Sequence, residues 1–285
     1  MDVIQWFTAP LQHEFMLKAI LVSALVGIVC SALSCYMTLK GWALMGDAVS
    51  HAVMPGVVIA YVLNIPFAVG AFVFGVGSVV AIGFIKSQTR IKEDAVIGLV
   101  FTGFFALGLV LVSKVKSGID LTHILFGNVL GISDADIVQT VIISVVTLVT
   151  LAILSKDLIL FCFDSTHARS IGLNITFLHY VLLSLLSLTA VAGLQTVGII
   201  LVVAMLVTPG ATAYLLTDRF DHMVLIAMAS GVFSSVVGTY ISYHIDGATG
   251  GCIVVLQTLV FVIAMIFAPK HGLLVRSKKQ LTEPL

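Results

Sequence analysis

Asp47 and His51 stand one helical turn apart in the segment GDAVSHAVMPG, residues 46–56, inside an apolar stretch that begins near Trp42. Residues at i and i+4 share a helix face with about 5–6 Å between Cβ atoms, so a carboxylate and an imidazole placed this way converge on one small ion. Oxygen and imidazole donors without thiolate suit Mn(II), Fe(II) or Zn(II) better than Cu(I). Pro55 adds to the set: it has no N–H to offer the carbonyl four residues earlier, that of His51, which leaves a third oxygen donor at the same level. Counted from Lys40 at about 1.5 Å per residue, Asp47 lies roughly 10 Å and His51 roughly 16 Å along the helix. A charge at that depth costs at least about 2.5–3.5 kcal/mol, and ionisable residues kept there mark an ion or substrate path by default. The other reading is that the pair fixes helix packing. Beside it runs the small-residue stripe Ala48, Ala52 and Gly56, which lets a second helix approach closely.

Two further segments carry polar or irregular chemistry. In VTPGATA, residues 207–213, Pro209 deprives the Met205 carbonyl of its helical donor, and Gly210 follows directly. The spacing predicts a kinked or broken helix around Met205, Thr208, Pro209 and Gly210, of the kind tolerated at membrane depth where it is buried in protein or lines a cavity. A kink without function is the rival. His244 and Asp246, two apart at the end of another apolar run, either guard an outer vestibule or form an ordinary polar loop. The sequence contains no G-x-x-x-x-G-K-[ST], no H-E-x-x-H and no G-x-S-x-G, so phosphate cradling, zinc proteolysis and serine nucleophile chemistry by those routes are set aside. Cys30, Cys35, Cys162 and Cys252 have no C-x-x-C spacing and read as small buried apolar residues.

The elements that position these residues follow from composition. The chain has 285 residues, 60% of them hydrophobic and 10% charged, with 14 Lys and Arg balanced by 14 Asp and Glu, and its mean hydropathy is +1.17. A soluble domain carries about 25% charged residues. This composition is that of an all-α polytopic membrane protein, without the electrostatic footprint of a nucleic-acid binder. Runs of about 20 apolar residues predict some nine spans, within a range of eight to ten, at residues 16–39, 42–63, 66–85, 94–113, 136–154, 176–194, 196–216, 223–243 and 251–268. They form a single transmembrane domain over 1–285, with a tail at 271–285. The N-terminus lacks the basic region of a cleaved signal peptide.

With Lys40 on the cytoplasmic side, alternation places Lys86, Arg90, Lys92, Lys156, Arg169, Arg219, Lys270, Arg276, Lys278 and Lys279 there too, eleven against Lys18, Lys114 and Lys116 outside. By the positive-inside rule the N-terminus is then outside and the tail cytoplasmic. Residues 114–135 suit a short interfacial helix. On the cytoplasmic loop 155–175, Asp164, Ala168 and Gly172 fall at i, i+4 and i+8 and make one small-residue face, suited to docking a partner or to nothing beyond an interfacial loop.

The 46–56 block, Leu125-Phe-Gly-Asn-Val-Leu130, the Asp164/Ala168/Gly172 loop and Thr208-Pro-Gly-Ala-Thr-Ala213 occur in this order, and together they resemble the permease subunit of bacterial manganese/iron/zinc ABC importers. The resemblance runs from about residue 14 to 270 and is most specific in the first block. It implies an architecture related to the cobalamin and siderophore permeases, in the bacterial cytoplasmic (inner) membrane. It also implies two permease copies, expected as a homodimer, with two cytoplasmic ATPase subunits that bind ATP. An extracytoplasmic metal-binding protein would deliver Mn2+, Fe2+ or Zn2+ as cargo, with no permanently bound cofactor. By position, Asp47 and His51 are metal-contacting, residues 164–174 including Arg169 form the coupling helix for the ATPase, and residues 114–135 and 244–250 face the binding protein. The chain itself is expected to be a permease and not an enzyme. The alternatives are a proton- or sodium-coupled secondary metal transporter, an ABC permease for a metal chelate, and a membrane enzyme using Asp47 and His51 in acid/base chemistry; the last lacks a third positioned group.

Overall fold

The structure is a computed structural model that describes residues 9–114, 132–268 and Gly272. Most of the expected interfacial segment 114–135, with the Leu125–Leu130 block, and most of the 271–285 tail lie outside the described residues. Among those described there are helices and no strands: a 3-10 turn at Ala9–Gln12, then α1 (Glu14–Lys40), α2 (Ala43–Ala52), α3 (Met54–Val62), α4 (Phe67–Gln88), α5 (Glu93–Lys114), α6 (Asp134–Ile153), α7 (Ser155–Phe163), α8 (Ser165–Ser170), α9 (Ile175–Val197), α10 (Ile199–Leu216), α11 (Phe220–Ile245) and α12 (Thr249–Phe267). With α2 and α3 taken together as one crossing, nine of these elements are long and apolar enough to span a bilayer. The all-α polytopic fold with about nine spans is therefore the observed one.

Helix ends are set by local chemistry. Glu14 opens α1 and Lys40 closes it, each complementing the helix dipole. Gly41 then takes φ +74°, its N–H donating to the Thr38 carbonyl while that of Trp42 donates to Met37. This paired cap turns Trp42 into the core, where it is 5% exposed, and starts α2. Ser133 caps α6 by accepting from the Asp136 N–H at 3.2 Å, and Asn174 caps α9 through the Phe177 N–H at 3.0 Å.

Lipid is as apolar as the side chains, so helix association rests on close packing and interhelical hydrogen bonds. α1 is the axis: it packs along α10 and α11, and α12 closes against both of these. Gly27 and Gly231 let α1 and α11 touch, Gly27 against Ser235 and Gly231 against Ser31. A second group, α2 to α5, meets this one across α9, which contacts α1, α2, α4, α6 and α10. Gln139 of α6 donates to Gln195 of α9 at 2.6 Å. α5, α6 and α12 leave most of their apolar surface outside the chain, available to lipid or a second copy.

The two prolines behave differently from each other. Of the kinked or broken helix expected at Pro209, the break does not occur: α10 runs unbroken from Ile199 to Leu216 through it. Ser34 of α1 ties α10 to its neighbour beside the proline, donating through Oγ to the Val207 carbonyl at 3.2 Å and accepting the Gly210 N–H at 2.9 Å. Gly210 is the close-approach point this requires, since a Cβ there would lie 2.5 Å from the Ser34 carbonyl oxygen. The interruption falls at Val53 instead, between α2 and α3.

Gly56 and Gly70 bring α3 and α4 into backbone contact, and a Cβ on either would overlap the other's carbonyl. Gly56→Leu is expected to destabilise the chain by on the order of 1–3 kcal/mol, read as loss of monodisperse protein on heating in detergent; a variant as heat-resistant as wild type contradicts the contact. Ser34→Ala is expected to cost about 0.6 kcal/mol, the average for an interhelical hydrogen bond in a membrane. No change in its unfolding midpoint would mean that Ser34 does not stitch α10.

Candidate functional site

Pro55 ends α2 one turn after His51. It cannot donate to the His51 carbonyl, and the N–H that turns to this oxygen is that of Val53. The expected third donor is thus partly engaged, with one lone pair remaining. α2 leans on α10 where Gly46 meets Leu206, a built Cβ lying 3.2 Å from the Leu206 Cβ. Ala48 and Ala52 are buried at 2% and 0%, which leaves Asp47 and His51 on the less covered side of the helix.

His51 Nδ1 lies 3.0 Å from the Asp47 backbone carbonyl and 3.2 Å from Asp47 Oδ1. Both neighbours are acceptors, so Nδ1 carries the proton, and in the neutral ring the lone pair is on Nε2. Asp47 therefore does two things: it fixes the imidazole tautomer, as carboxylate partners of metal-bound histidines do, and it keeps a carboxylate oxygen beside the ring. The side chains are 37% and 21% exposed respectively, so an ion has access.

Sequence reading did not find the walls of this site. Phe101 and Phe105 of α5 meet the His51 ring edge-on at centroid distances of 5.1 and 5.4 Å. One turn on, Gly108 seats Pro55, with its built Cβ 3.0 Å from Met54 Cβ and 3.2 Å from Pro55 Cδ. Phe101, Phe105 and Gly108 repeat at i, i+4 and i+7, a helical stripe that is invisible in a segment apolar on every face.

The other expected residues lie elsewhere. Among the described residues no group of three or more His, Cys, Asp and Glu comes together to hold a metal, so His244 and Asp246 do not join Asp47 and His51. His244 meets the Tyr240 ring at a tilt and the Tyr243 ring edge-on, at 5.0 and 5.4 Å, and Asp246 is the left-handed cap of α11. Met205 and Pro209 are buried inside α10, and Thr208 is half-buried.

Of the residues expected on the α8 docking face, Asp164, Arg169 and Gly172 are exposed and Ala168 is buried. Asp164 is the N-cap, accepting from the Thr166 and His167 N–H groups at 2.9 Å each. Ala168 is fully buried against the chain itself. Gly172, at φ +89°, ends the helix with N–H bonds from Gly172 to the Arg169 carbonyl and from Leu173 to Ala168. These three residues build the helix; Phe163 (80% exposed) and Ile171 (57%), with exposed Thr166, His167, Arg169 and Ser170, form its outer surface. The backbone N–H of His167, and then that of Thr166, hold the Asp164 carboxyl below its ordinary value of 3.8. The cap is thus fully present above that value and is lost only as pH falls through the lowered one.

The comparisons with known proteins agree with this fold. The chain is 63% identical to the manganese transport system membrane protein MntB of Synechocystis sp., over 98% of this chain and 91% of the relative. It is 53% identical to the chelated iron transport system membrane protein YfeD of Yersinia pestis, over 90% and 87%. Among solved structures, PsaBC from Streptococcus pneumoniae in complex with Fab superposes with a TM-score of 0.88 at 39% identity, covering 96% of this chain and all of that one. Residues 12–268 match the ABC 3 transport family, and the chain, a multi-pass membrane permease, belongs to that family.

Proposed function

We propose that this chain moves a divalent transition metal ion, manganese or iron, past Asp47 and His51 as the membrane subunit of an ATP-driven importer in the bacterial cytoplasmic membrane. The observation that carries this reading is the Nδ1 contact with two Asp47 oxygens, which presents Nε2 of His51 to an ion inside an apolar span. The names of the relatives, manganese and chelated iron transport systems, support the choice of cargo. Zinc fits the same donors chemically.

In this reading the ion arrives from an extracytoplasmic binding protein and exchanges part of its water shell for Nε2 and a carboxylate oxygen. Two side chains hold it loosely enough to let go, as conduction demands. Phe101 and Phe105 keep the imidazole from turning and keep lipid tails away from it. ATP is bound and hydrolysed by separate cytoplasmic subunits, which grip the outer surface of α8 and the end of α7, and a second permease copy covers part of the apolar surface left by α5, α6 and α12. The 1–285 chain works as one transmembrane domain, with the lysine-rich end in the cytoplasm.

Metal content of metal-limited cells that carry the whole transporter tests the path. His51→Ala is expected to abolish manganese or iron accumulation at matched membrane levels, and Asp47→Asn to reduce it by about 10- to 100-fold, as for loss of an orienting partner. Wild-type accumulation in either variant would mean that the pair is packing. For the coupling surface, Phe163→Asp is expected to weaken ATPase co-purification by about tenfold or more, as loss of a buried aromatic anchor does, while metal binding by the permease persists; undiminished co-purification would exclude Phe163 from the contact.

A further inference from the structure

A cavity of about 320 Å³ opens at the lysine-rich end of the helices, bounded by Lys40, Trp42, Gly83, Lys86, Phe161 and His179 among others. That volume is at the small end of the range for ligand sites, roughly 300–1,000 Å³. It is separate from the Asp47–His51 pair and has no part in the transport chemistry described above.

Its charge is unbalanced. Lys40 is half-buried, donates to the Phe161 carbonyl at 3.2 Å and sits 4.1 Å from the Phe161 ring centroid. Lys86 donates to the Ile91 carbonyl at 3.0 Å. Neither lysine has a carboxylate within ion-pair distance among the described residues, and each ammonium has three donors. The wall between them is aromatic: the rings of Trp42 and His179 meet at 5.1 Å and those of Phe161 and His179 at 6.3 Å. Lys40 is held by a carbonyl and the Phe161 ring and Lys86 is exposed, so the two ammonium groups make the rim complementary to an anion.

Round α4 from the cavity-lining Val79, Ile82 and Gly83, a neighbouring face is apolar and turned outward. Val73, Val80 and Phe84 of α4 are 58%, 45% and 65% exposed. With Gly77, whose Cβ position opens on free space, they repeat at i, i+4, i+7 and i+11, a continuous strip for hydrocarbon along the helix. An anionic group joined to long apolar chains matches both parts; a free anion matches only the first. We propose that this cavity binds the phosphodiester headgroup of an anionic phospholipid, with its acyl chains lying along the Val73–Phe84 strip of α4. Ser165, the first residue of α8, also lines the cavity, so the lipid would sit under the helix whose outer surface we assign to the ATPase.

Native mass spectrometry of the full-length permease, delipidated and titrated with phosphatidylglycerol or phosphatidylcholine, tests this without depending on transport. Wild type is expected to retain phosphatidylglycerol in preference to phosphatidylcholine. Lys86→Gln is expected to weaken that retention about fivefold, the worth of one lysine near an anionic headgroup. Gly83→Leu fills the cavity from a position whose Cβ meets nothing within 4 Å, so the helix is kept; circular dichroism should be unchanged and the preference lost. Equal retention of the two lipids, or a preference that survives both substitutions, overturns the proposal. So does displacement of phosphatidylglycerol by inorganic phosphate, which would make the cavity a site for a soluble anion.

Discussion

In hydrocarbon a backbone group cannot borrow a hydrogen bond from water, so each proline in a spanning helix forces the protein to say where the freed carbonyl goes. This chain answers in two ways. At Pro209 α10 stays whole, and a serine on the neighbouring helix binds it alongside, through the Val207 carbonyl and the Gly210 N–H. At Pro55 the helix stops at Val53 and restarts as α3. The interruption leaves His51 at the last turn of α2, where its Nδ1 folds back on the Asp47 carbonyl.

Much of the surrounding packing follows from that interruption. α5 lies across it, seating Pro55 at Gly108 and enclosing the His51 ring with Phe101 and Phe105. α4 must come within backbone contact of α3 at Gly56 and Gly70, because a short helix offers little length over which to spread its packing. The result is an aromatic wall against the imidazole, whose side chain keeps 21% of its surface exposed. A site with few protein ligands is weak for storage and suited to passage.

The number of crossings was legible in the sequence, since an uninterrupted apolar run of about 20 residues has few other uses. The Asp47–His51 pairing was legible for the same reason that it is expensive: polar residues at i and i+4 stand out in an apolar run. Which proline breaks its helix was not, because Pro55 and Pro209 present the same local signal, and the contact that holds α10 beside Pro209 comes from Ser34, more than 170 residues away in the chain. Phe101 and Phe105 were hidden in a helix whose faces are all apolar. The role of the α8 face was not legible, because small residues at i, i+4 and i+8 describe an inward face and a docking face equally well. There Ala168 turned inward, while Asp164 and Gly172 were taken up in starting and stopping a six-residue helix.

The central claim is that His51 meets the ion through Nε2 with Asp47 behind it. The most direct measurement is electron–nuclear double resonance on Mn(II) bound to the assembled transporter in lipid. The account predicts coupling to imidazole nitrogen that disappears in His51→Ala. Bound manganese with no nitrogen coupling, or with coupling that survives the substitution, would contradict it.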